Sequence, residues 1–291
     1  MSSSSPSPSP QDGLKTVSSH DVSATAADDK KALHSNHEDN HPDTSRSAGP
    51  FVNQRLPVRW LPIPLIITSV ATGMLDVATF ADFFAFASNQ TGSCIIIFIG
   101  AFHEAPNASA LLSGVSLGSF CAFAFLFGQL THHLPRNGPR TRWWLSACGL
   151  LQALLVLVAG ILIQTGTWQS EGNEADAARI LALLAGSGGV QVVNAKMSSV
   201  SEVPTAIVTS AWAELLSDPN IFSPHLLTAA VRSRNLRALH IGGLMAGAAL
   251  GAVIRKYAGS GPVIFTAAGI KILTTFIYFF LPGEVESIRA N

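Results

Sequence analysis

The sequence predicts an all-α integral membrane protein with about six transmembrane helices plus two half or re-entrant helices. The chain of 291 residues is 48% apolar and only 12% charged. Beyond Trp60 it consists mainly of apolar runs of roughly 20 residues, the length at which a helix crosses a hydrocarbon core about 30 Å thick. Two of these runs are too short, or too polar at the start, to cross by themselves.

The first 60 residues have a different composition from the rest. They are rich in Ser and Pro, carry six of the eighteen Lys and Arg, and contain almost no large apolar side chains. Such a segment cannot bury enough surface to offset the entropy of ordering it. The sequence therefore predicts a disordered cytoplasmic tail at 1–60, a transmembrane domain at 61–282 and a short C-terminal tail at 283–291.

The apolar blocks predict the helices in chain order. They lie at 61–82, 84–102, 109–130, 143–166, 179–197, 203–217, 238–256 and 262–281. The second block opens with the polar run 88–92, and the sixth is short and begins near Pro204. These two blocks are predicted to be half helices that enter the membrane and return, with Ser88 or Asn89 capping the first. Ser201 is expected to cap the second, with Pro204 in its first turn.

An internal repeat accounts for both half helices. Residues 73–76 (Gly-Met-Leu-Asp) match residues 188–191 (Gly-Gly-Val-Gln), and thirteen residues further come 89–91 (Asn-Gln-Thr) and 204–205 (Pro-Thr). Repeat one is predicted at 61–166 and repeat two at 179–281. Small residues are predicted to pack helices closely, either between the repeats or between the protomers of a homo-oligomer: Gly73, Gly114, Gly118, Gly243, Gly247 and Gly251.

The distribution of arginines predicts the orientation. If the half helices do not cross, the Arg-containing segments 55–59, 136–142 and 232–237 all lie on one side, and positive residues are retained in the cytoplasm. This arrangement predicts six crossings with both termini cytoplasmic. Each repeat then crosses three times, so the second copy is inverted relative to the first. Inverted repeats with broken helices are typical of secondary transporters, an analogy at the level of fold alone.

Polar side chains inside the apolar blocks are the candidate site. Asp76, in the middle of the first block, is predicted either to bind a cation or a proton or to pin a broken helix. Lys271 is expected to need a partner, for which Asp76, Asp82 and Glu214 are candidates, and its ion pair is predicted either to belong to a solute- or ion-binding site or to serve packing. The others are predicted either to bind a solute or an ion, or to pack and cap helices: Asn89, Thr91, Gln191, Asn194, Pro204 and Thr205.

The order and spacing of these motifs resemble a known family. Gly73-x-x-Asp76-x-x-x-Phe80, Asn89-x-Thr91-Gly92, Gly189-x-Gln191-x-x-Asn194 and Val203-Pro204-Thr205 are similar to motifs of the YoaK-type family of uncharacterised multi-pass membrane proteins. The resemblance implies the membrane fold but no agreed substrate, cofactor or reaction. The long Ser/Pro-rich tail is more similar to fungal than to bacterial members. Gly92-Ser93 and the stretch 196–198 depart from the family pattern.

Two function classes follow from this pattern. The first is a permease for a small polar or anionic solute, coupled to protons through Asp76. The alternative is a membrane scaffold or regulatory protein that transports nothing. Motifs of hydrolases, phosphate-binding loops and metal sites are absent from the sequence, so no enzyme activity, cofactor, metal or nucleic-acid partner is expected. The expected partners are the lipid bilayer, of the plasma membrane or an internal membrane, and the solute.

Overall fold

The computed structural model describes residues 51–134, 138–168, 173–226 and 228–284. Within these residues the protein is all-α and has no β-strand. The helices are α1 (Pro62–Phe83), α2 (Gln90–Ala101), α3 (Ala110–His132), α4 (Arg142–Gln164), α5 (Glu174–Met197), α6 (Val208–Leu216), α7 (Arg232–Ala258) and α8 (Ser260–Phe280). The predictions for residues 1–50 and 285–291 lie outside the described residues.

Six of the helices are long and apolar enough to cross a membrane. They are α1, α3, α4, α5, α7 and α8. The other two, α2 with 12 residues and α6 with 9, are shorter than the roughly 20 residues that a crossing needs. The structure therefore confirms the predicted fold class, a multi-pass helical membrane protein with two additional short helices.

Left-handed residues mark the interruptions that precede α2 and α6. Helix α1 ends because Phe84 adopts a left-handed conformation, with φ of 50°, and α2 begins only at Gln90. After α5, Ser199 and Thr205 are left-handed, with φ of 62° and 59°. Helix α6 then begins at Val208 with Ile207 as its N-cap residue. The prediction that Ser201 caps α6 and that Pro204 lies in its first turn is therefore wrong.

Helices α1 and α5 each pack against two other long helices. Helix α1 packs against α7 and α8, whereas α5 packs against α3 and α4. Helix α4 also packs against α8, and the short helices α2 and α6 lie on α3 and α7 respectively. The largest apolar core lies among α1, α4, α5 and α8, around residues such as Met74, Val156, Leu184 and Ile264. Each short helix is thereby fixed to a helix of its own half of the chain.

Glycines bring α1 and α7 into backbone contact. A methyl group at Gly73 would lie 2.1 Å from the carbonyl oxygen of Leu244, and one at Gly247 would lie 2.0 Å from that of Val70. A methyl group at Gly251 would lie 2.9 Å from Cα of Met74, and one at Gly243 would lie 3.4 Å from the carbonyl oxygen of Ile66. The predicted packing role is thus supported for these four glycines.

Gly114 and Gly118 of α3 are different. A methyl group at either position would meet no atom within 4 Å. Their predicted packing role within the chain is therefore wrong, because the face of α3 that carries them is not the face that contacts α5. A contact between protomers through this face stays a prediction.

A set of hydrogen bonds, which we call the clasp, joins residues 51–56 to the start of α4 and the end of α8. Arg142, which is fully buried, donates from Nε to the carbonyl of Phe51 (3.1 Å), from Nη2 to Oε1 of Gln54 (3.1 Å) and from Nη1 to the carbonyl of Phe279. Its guanidinium also lies 3.8 Å from the centre of the Phe51 ring. Leu56 is buried in an adjacent apolar cluster. Residues 51–60, which the sequence places in the tail, therefore pack onto the helical domain.

The orientation in the membrane can be tested by labelling. In a variant without native cysteines, Glu104→Cys is expected to react with a membrane-impermeant maleimide on intact cells, because the α2–α3 connection lies outside if the termini are cytoplasmic. Ser201→Cys, after α5, is expected to react only after permeabilisation. Both positions are exposed, so access to the thiol does not bias the result. Labelling of both positions from the same side would contradict six crossings.

Candidate functional site

Asp76 holds the broken segment between α1 and α2. One carboxylate oxygen accepts the backbone N–H of Ser88 (2.8 Å), and the other accepts its hydroxyl (2.5 Å). The hydroxyl of Thr79 accepts the N–H of Ala87 at 3.2 Å, so two side chains of α1 bind consecutive residues of the break. The chain therefore folds back along α1, and α2 starts beside Asp76 rather than beyond the end of α1.

The start of α2 is fixed by polar side chains. The Oδ1 atom of Asn89 accepts the N–H of Gly92 (3.4 Å), as expected for a helix cap. The side-chain amide of Gln90 donates to the carbonyl of Ala87 (3.0 Å) and to the hydroxyl of Ser116 on α3 (3.3 Å). Ser116 in turn donates to the carbonyl of Phe86 (2.5 Å). The predicted capping by Asn89 is confirmed, whereas Ser88 binds Asp76 instead.

The break before α6 is built differently. Thr205 is fully buried, and its hydroxyl has no hydrogen-bond partner among the described residues. The N-cap residue of α6 is Ile207, whose side chain cannot accept a hydrogen bond. It therefore leaves the backbone N–H groups in the first turn of α6 without a side-chain cap. Pro204 and the left-handed Thr205 precede α6, which begins at Val208 after Ala206 and Ile207.

The two breaks line a partly open cavity of about 260 Å³, which we call the break cavity. The first break contributes Asp76 and residues 88–91 to its wall, and the second contributes residues 206–209. Phe120 of α3, Val192 of α5 and Leu244 of α7 complete the lining. Among these lining residues, Asp76 is the one with an ionisable side chain. Of the predicted site residues, the structure thus brings together Asp76, Asn89 and Thr91.

Lys271 belongs to a second buried group, which we call the lysine cluster: Lys271, Gln152, Gln191, Asn194, Thr68 and Tyr278. The ammonium, only 2% exposed, donates to Oε1 of Gln191 (2.6 Å) and to Oε1 of Gln152 (3.1 Å). The amide of Gln191 donates to the hydroxyl of Thr72 at 2.8 Å. Gln191 and Asn194 therefore contribute to this cluster and are not part of the lining of the break cavity.

The predicted ion pair of Lys271 with an acidic side chain is wrong. Asp76 binds Ser88, Asp82 binds Arg255 (2.8 Å) and Glu214 binds Arg237 (2.8 Å). The partners of Lys271 are instead the neutral amides of Gln152 and Gln191. Single glutamines within apolar runs are the sequence feature that could have indicated this arrangement. Gln152, within the block 143–166, was not among the predicted site residues.

A further buried hydrogen-bonded pair, Ser69 and His240, was not predicted from the sequence. The hydroxyl of Ser69 on α1 lies 2.8 Å from Nδ1 of His240 on α7, and both residues are fully buried. A histidine within the apolar block 238–256 was the available signal. In the part of the chain that the structure describes, no group of three or more His, Cys, Asp or Glu side chains could hold a metal ion. This region contains no arrangement typical of a metal site.

Fold and site together define the class of protein: a multi-pass helical membrane protein in which two short helices begin beside one cavity. The chain matches, over residues 65–277, a family described as proteins of unknown function, DUF1275. The chain belongs to this family, which confirms the resemblance to YoaK-type proteins. No curated protein and no solved structure matches the chain.

Proposed function

We propose that the protein is a permease for a small polar solute and that the break cavity is its solute site. The observation that carries the proposal is the cavity of about 260 Å³ between the two breaks, with one carboxyl group in its wall. Irregular backbone is tolerated at membrane depth where it lines a cavity or is buried in protein. A volume somewhat below the 300–1,000 Å³ typical of ligand pockets suits a solute of few heavy atoms.

The polar groups of the cavity define what the solute must offer. Asp76 presents carboxylate oxygens, which suit a donor group or a proton. The first-turn N–H groups of α6 and the positive ends of the α2 and α6 dipoles favour a negatively charged or electron-rich group. Amino acids and small organic acids present such groups, and protonation of Asp76 would couple their movement to protons.

The packing of the helices supports an inverted repeat, in which α1 to α4 correspond to α5 to α8. The contact between α1 and α7 and the contact between α5 and α3 align their residues in the same way. A methyl group at Gly73 would meet the Leu244 carbonyl at 2.1 Å, and one at Gly189 would meet the Phe120 carbonyl at 2.4 Å. Leu244 and Phe120 both line the break cavity. The two halves therefore contribute corresponding residues to one site between them.

This register shifts the predicted alignment of the repeats by one residue. Gly73 corresponds to Gly189 rather than to Gly188, so the residue that corresponds to Asp76 is Val192, which also lines the cavity. The two halves thus present a carboxyl group and an isopropyl group to the same space. A solute with one polar and one apolar side fits this asymmetry.

Transport through the break cavity predicts that Asp76→Asn abolishes solute-dependent proton movement. The purified protein would be reconstituted into liposomes, and internal pH would be recorded while small organic acids, amino acids and sugars are added. We expect a change in internal pH with one class of solute for the wild type and none for Asp76→Asn. The cause is that an amide keeps a hydrogen bond to Ser88 but does not take up a proton.

Asp82→Asn is the matched control. Asp82 lies on the same helix but pairs with Arg255 and is not part of the cavity lining, so flux should be retained in this variant. Equal loss in both variants would indicate a general effect on α1. Absence of pH change and of labelled-solute flux in folded wild-type protein would overturn the proposal. That outcome favours a scaffold, in which the two hydrogen bonds from Ser88 to Asp76 serve only to pin the break.

A further inference from the structure

We propose that His240 is a positioning residue of the break cavity: its neutral imidazole holds the start of α6 in place, and protonation of the ring releases it. His240 lies on α7, one helical turn before Leu244, which lines the cavity. We call the contacts of this ring with α1 and with the start of α6 the histidine latch. The latch concerns the conformation of the cavity wall, and only its effect on solute entry rests on the proposed permease function.

The ring of His240 contacts two other elements. His240 is fully buried, and its Nδ1 atom lies 2.8 Å from the hydroxyl of Ser69 on α1. The backbone carbonyl of Ile207, the N-cap residue of α6, also lies beside the ring. Ile207 is itself part of the wall of the break cavity. The imidazole therefore connects α1 with the part of the cavity wall where α6 begins.

The surroundings of the ring determine which nitrogen carries the proton. Nδ1 is occupied by Ser69, so Nε2 is the nitrogen left for Ile207. A carbonyl only accepts hydrogen bonds, so Nε2 must carry the proton of the neutral ring, and Nδ1 accepts the hydroxyl of Ser69. Within the described residues Nε2 makes no hydrogen bond of normal geometry. Its contact with Ile207 is therefore a loose one, which a small movement of α6 either completes or breaks.

The first half of the chain has an anchor at the equivalent position. In the proposed inverted repeat Leu244 corresponds to Phe120, so His240 corresponds to Ser116 of α3. Ser116 donates its hydroxyl to the carbonyl of Phe86 in the first break at 2.5 Å. The helix beside each break thus carries a polar side chain at the same position. One half has a hydroxyl there, and the other has an imidazole, which can take up a proton.

A protonated ring does not suit this buried position. An imidazolium needs a carboxylate or water beside it, since burial of an unpaired charge is costly. The ionisable groups of the surrounding elements have other partners: Glu214 of α6 with Arg237 of α7, Glu202 with Ser233, Asp76 of α1 with Ser88, and Lys271 of α8 with Gln152 and Gln191. No carboxylate of the described residues binds the ring. Protonation therefore requires water, which reaches the ring when the start of α6 moves away.

The test measures the position of α6 as pH changes. In a variant without native cysteines, nitroxide labels at Ser210→Cys on α6 and Met245→Cys on α7 report the distance between these helices by electron paramagnetic resonance. Both positions are exposed. In nanodiscs without solute, we expect this distance to lengthen by several Å from about pH 8 to about pH 5, on either side of the ordinary imidazole pKa of about 6.5.

Three variants of this labelled protein assign the change to the ring. His240→Gln keeps one donor and one acceptor but takes up no proton, so the short distance should persist at low pH. Asp76→Asn removes the carboxyl group of the cavity wall and should retain the lengthening. His225→Gln removes an exposed histidine between α6 and α7 and should also retain it.

Ser69→Ala keeps the proposal testable if His240→Gln does not fold. It leaves the imidazole in place but removes the hydroxyl that Nδ1 accepts in the neutral ring. The neutral, latched arrangement should lose stability, so the midpoint of the lengthening should move to higher pH. A shift of about one pH unit is the equivalent of one hydrogen bond.

Four results would overturn the proposal. They are an α6–α7 distance that does not change with pH, a distance that shortens in acid, the same lengthening in His240→Gln, and a midpoint that Ser69→Ala does not move. Since these distances are measured without solute, they do not depend on transport. Lengthening without any solute flux would leave the latch supported and the permease refuted, and flux without lengthening would do the reverse.

Discussion

Gly247→Val is expected to destabilise the protein by about 3 kcal/mol or more, the upper end of the range for overpacked contacts. The first carbon of the new side chain would lie 2.0 Å from the carbonyl oxygen of Val70, on the backbone of α1. Backbone cannot rotate away as a side chain can, so α1 and α7 must separate. Thermal unfolding in detergent and the fraction of monodisperse protein after purification measure this effect.

Gly118→Val is the control for this result. It places the same side chain in another transmembrane helix, at a position where the added carbon meets no atom within 4 Å. We expect little change in the unfolding midpoint. If both variants lose the same stability, the cause lies in the change from glycine to valine within a helix, and the α1–α7 contact is not the reason.

Arg142→Met is expected to cost about 3 kcal/mol and to release residues 51–60 from the helical domain. The substitution keeps an unbranched side chain but removes the donors to Phe51, Gln54 and Phe279, and each buried acceptor left without a partner costs about 1–3 kcal/mol. The released segment contains Arg55 and Arg59, so brief exposure to trypsin should cleave it faster than in the wild type.

Arg232→Met is the control for Arg142→Met, because it removes an arginine close to residues 51–60 but leaves the clasp intact. Arg232 is exposed and makes one hydrogen bond, 3.3 Å long, to the carbonyl of Arg59. Trypsin cleavage and the unfolding midpoint should remain close to those of the wild type. Rapid cleavage of both variants would mean that residues 51–60 are held by many weak contacts and that Arg142 is not their main anchor.

Helix number and the two interruptions were predictable because they depend on local sequence. A run of about 20 apolar residues is sufficient information for a crossing helix. The polar run 88–92 and the short block at 203–217 likewise indicated where α2 and α6 begin, although the left-handed Thr205 moved the start of α6 to Val208. The placement of Asp76 and Asn89 beside a cavity followed from this pattern.

Contacts between distant helices were not predictable, because they depend on how helices rotate and slide against each other. Lys271 has the same sequence environment whether its partner is Asp76 or two glutamines. The packing of α8 against α4 and α1, which brings Lys271 within reach of Gln152 and Gln191, decides this. Gly114 and Gly118 have the spacing of a packing motif, but the rotation of α3 turns them away from α5. The proposed correspondence of Gly73 with Gly189 rather than with Gly188 has the same origin, since Gly188 and Gly189 are interchangeable in sequence.

The clasp also determines where the polypeptide enters and leaves the helical domain. Glu284 donates its backbone N–H to the carbonyl of Arg55 at 2.9 Å, and the side chains of these two residues form an ion pair. The first and last residues of the helical domain therefore lie close to each other. A circular permutant, with residue 284 joined to residue 51 through a short linker and new ends in the connection between α3 and α4, is therefore expected to keep every helix beside its present neighbours.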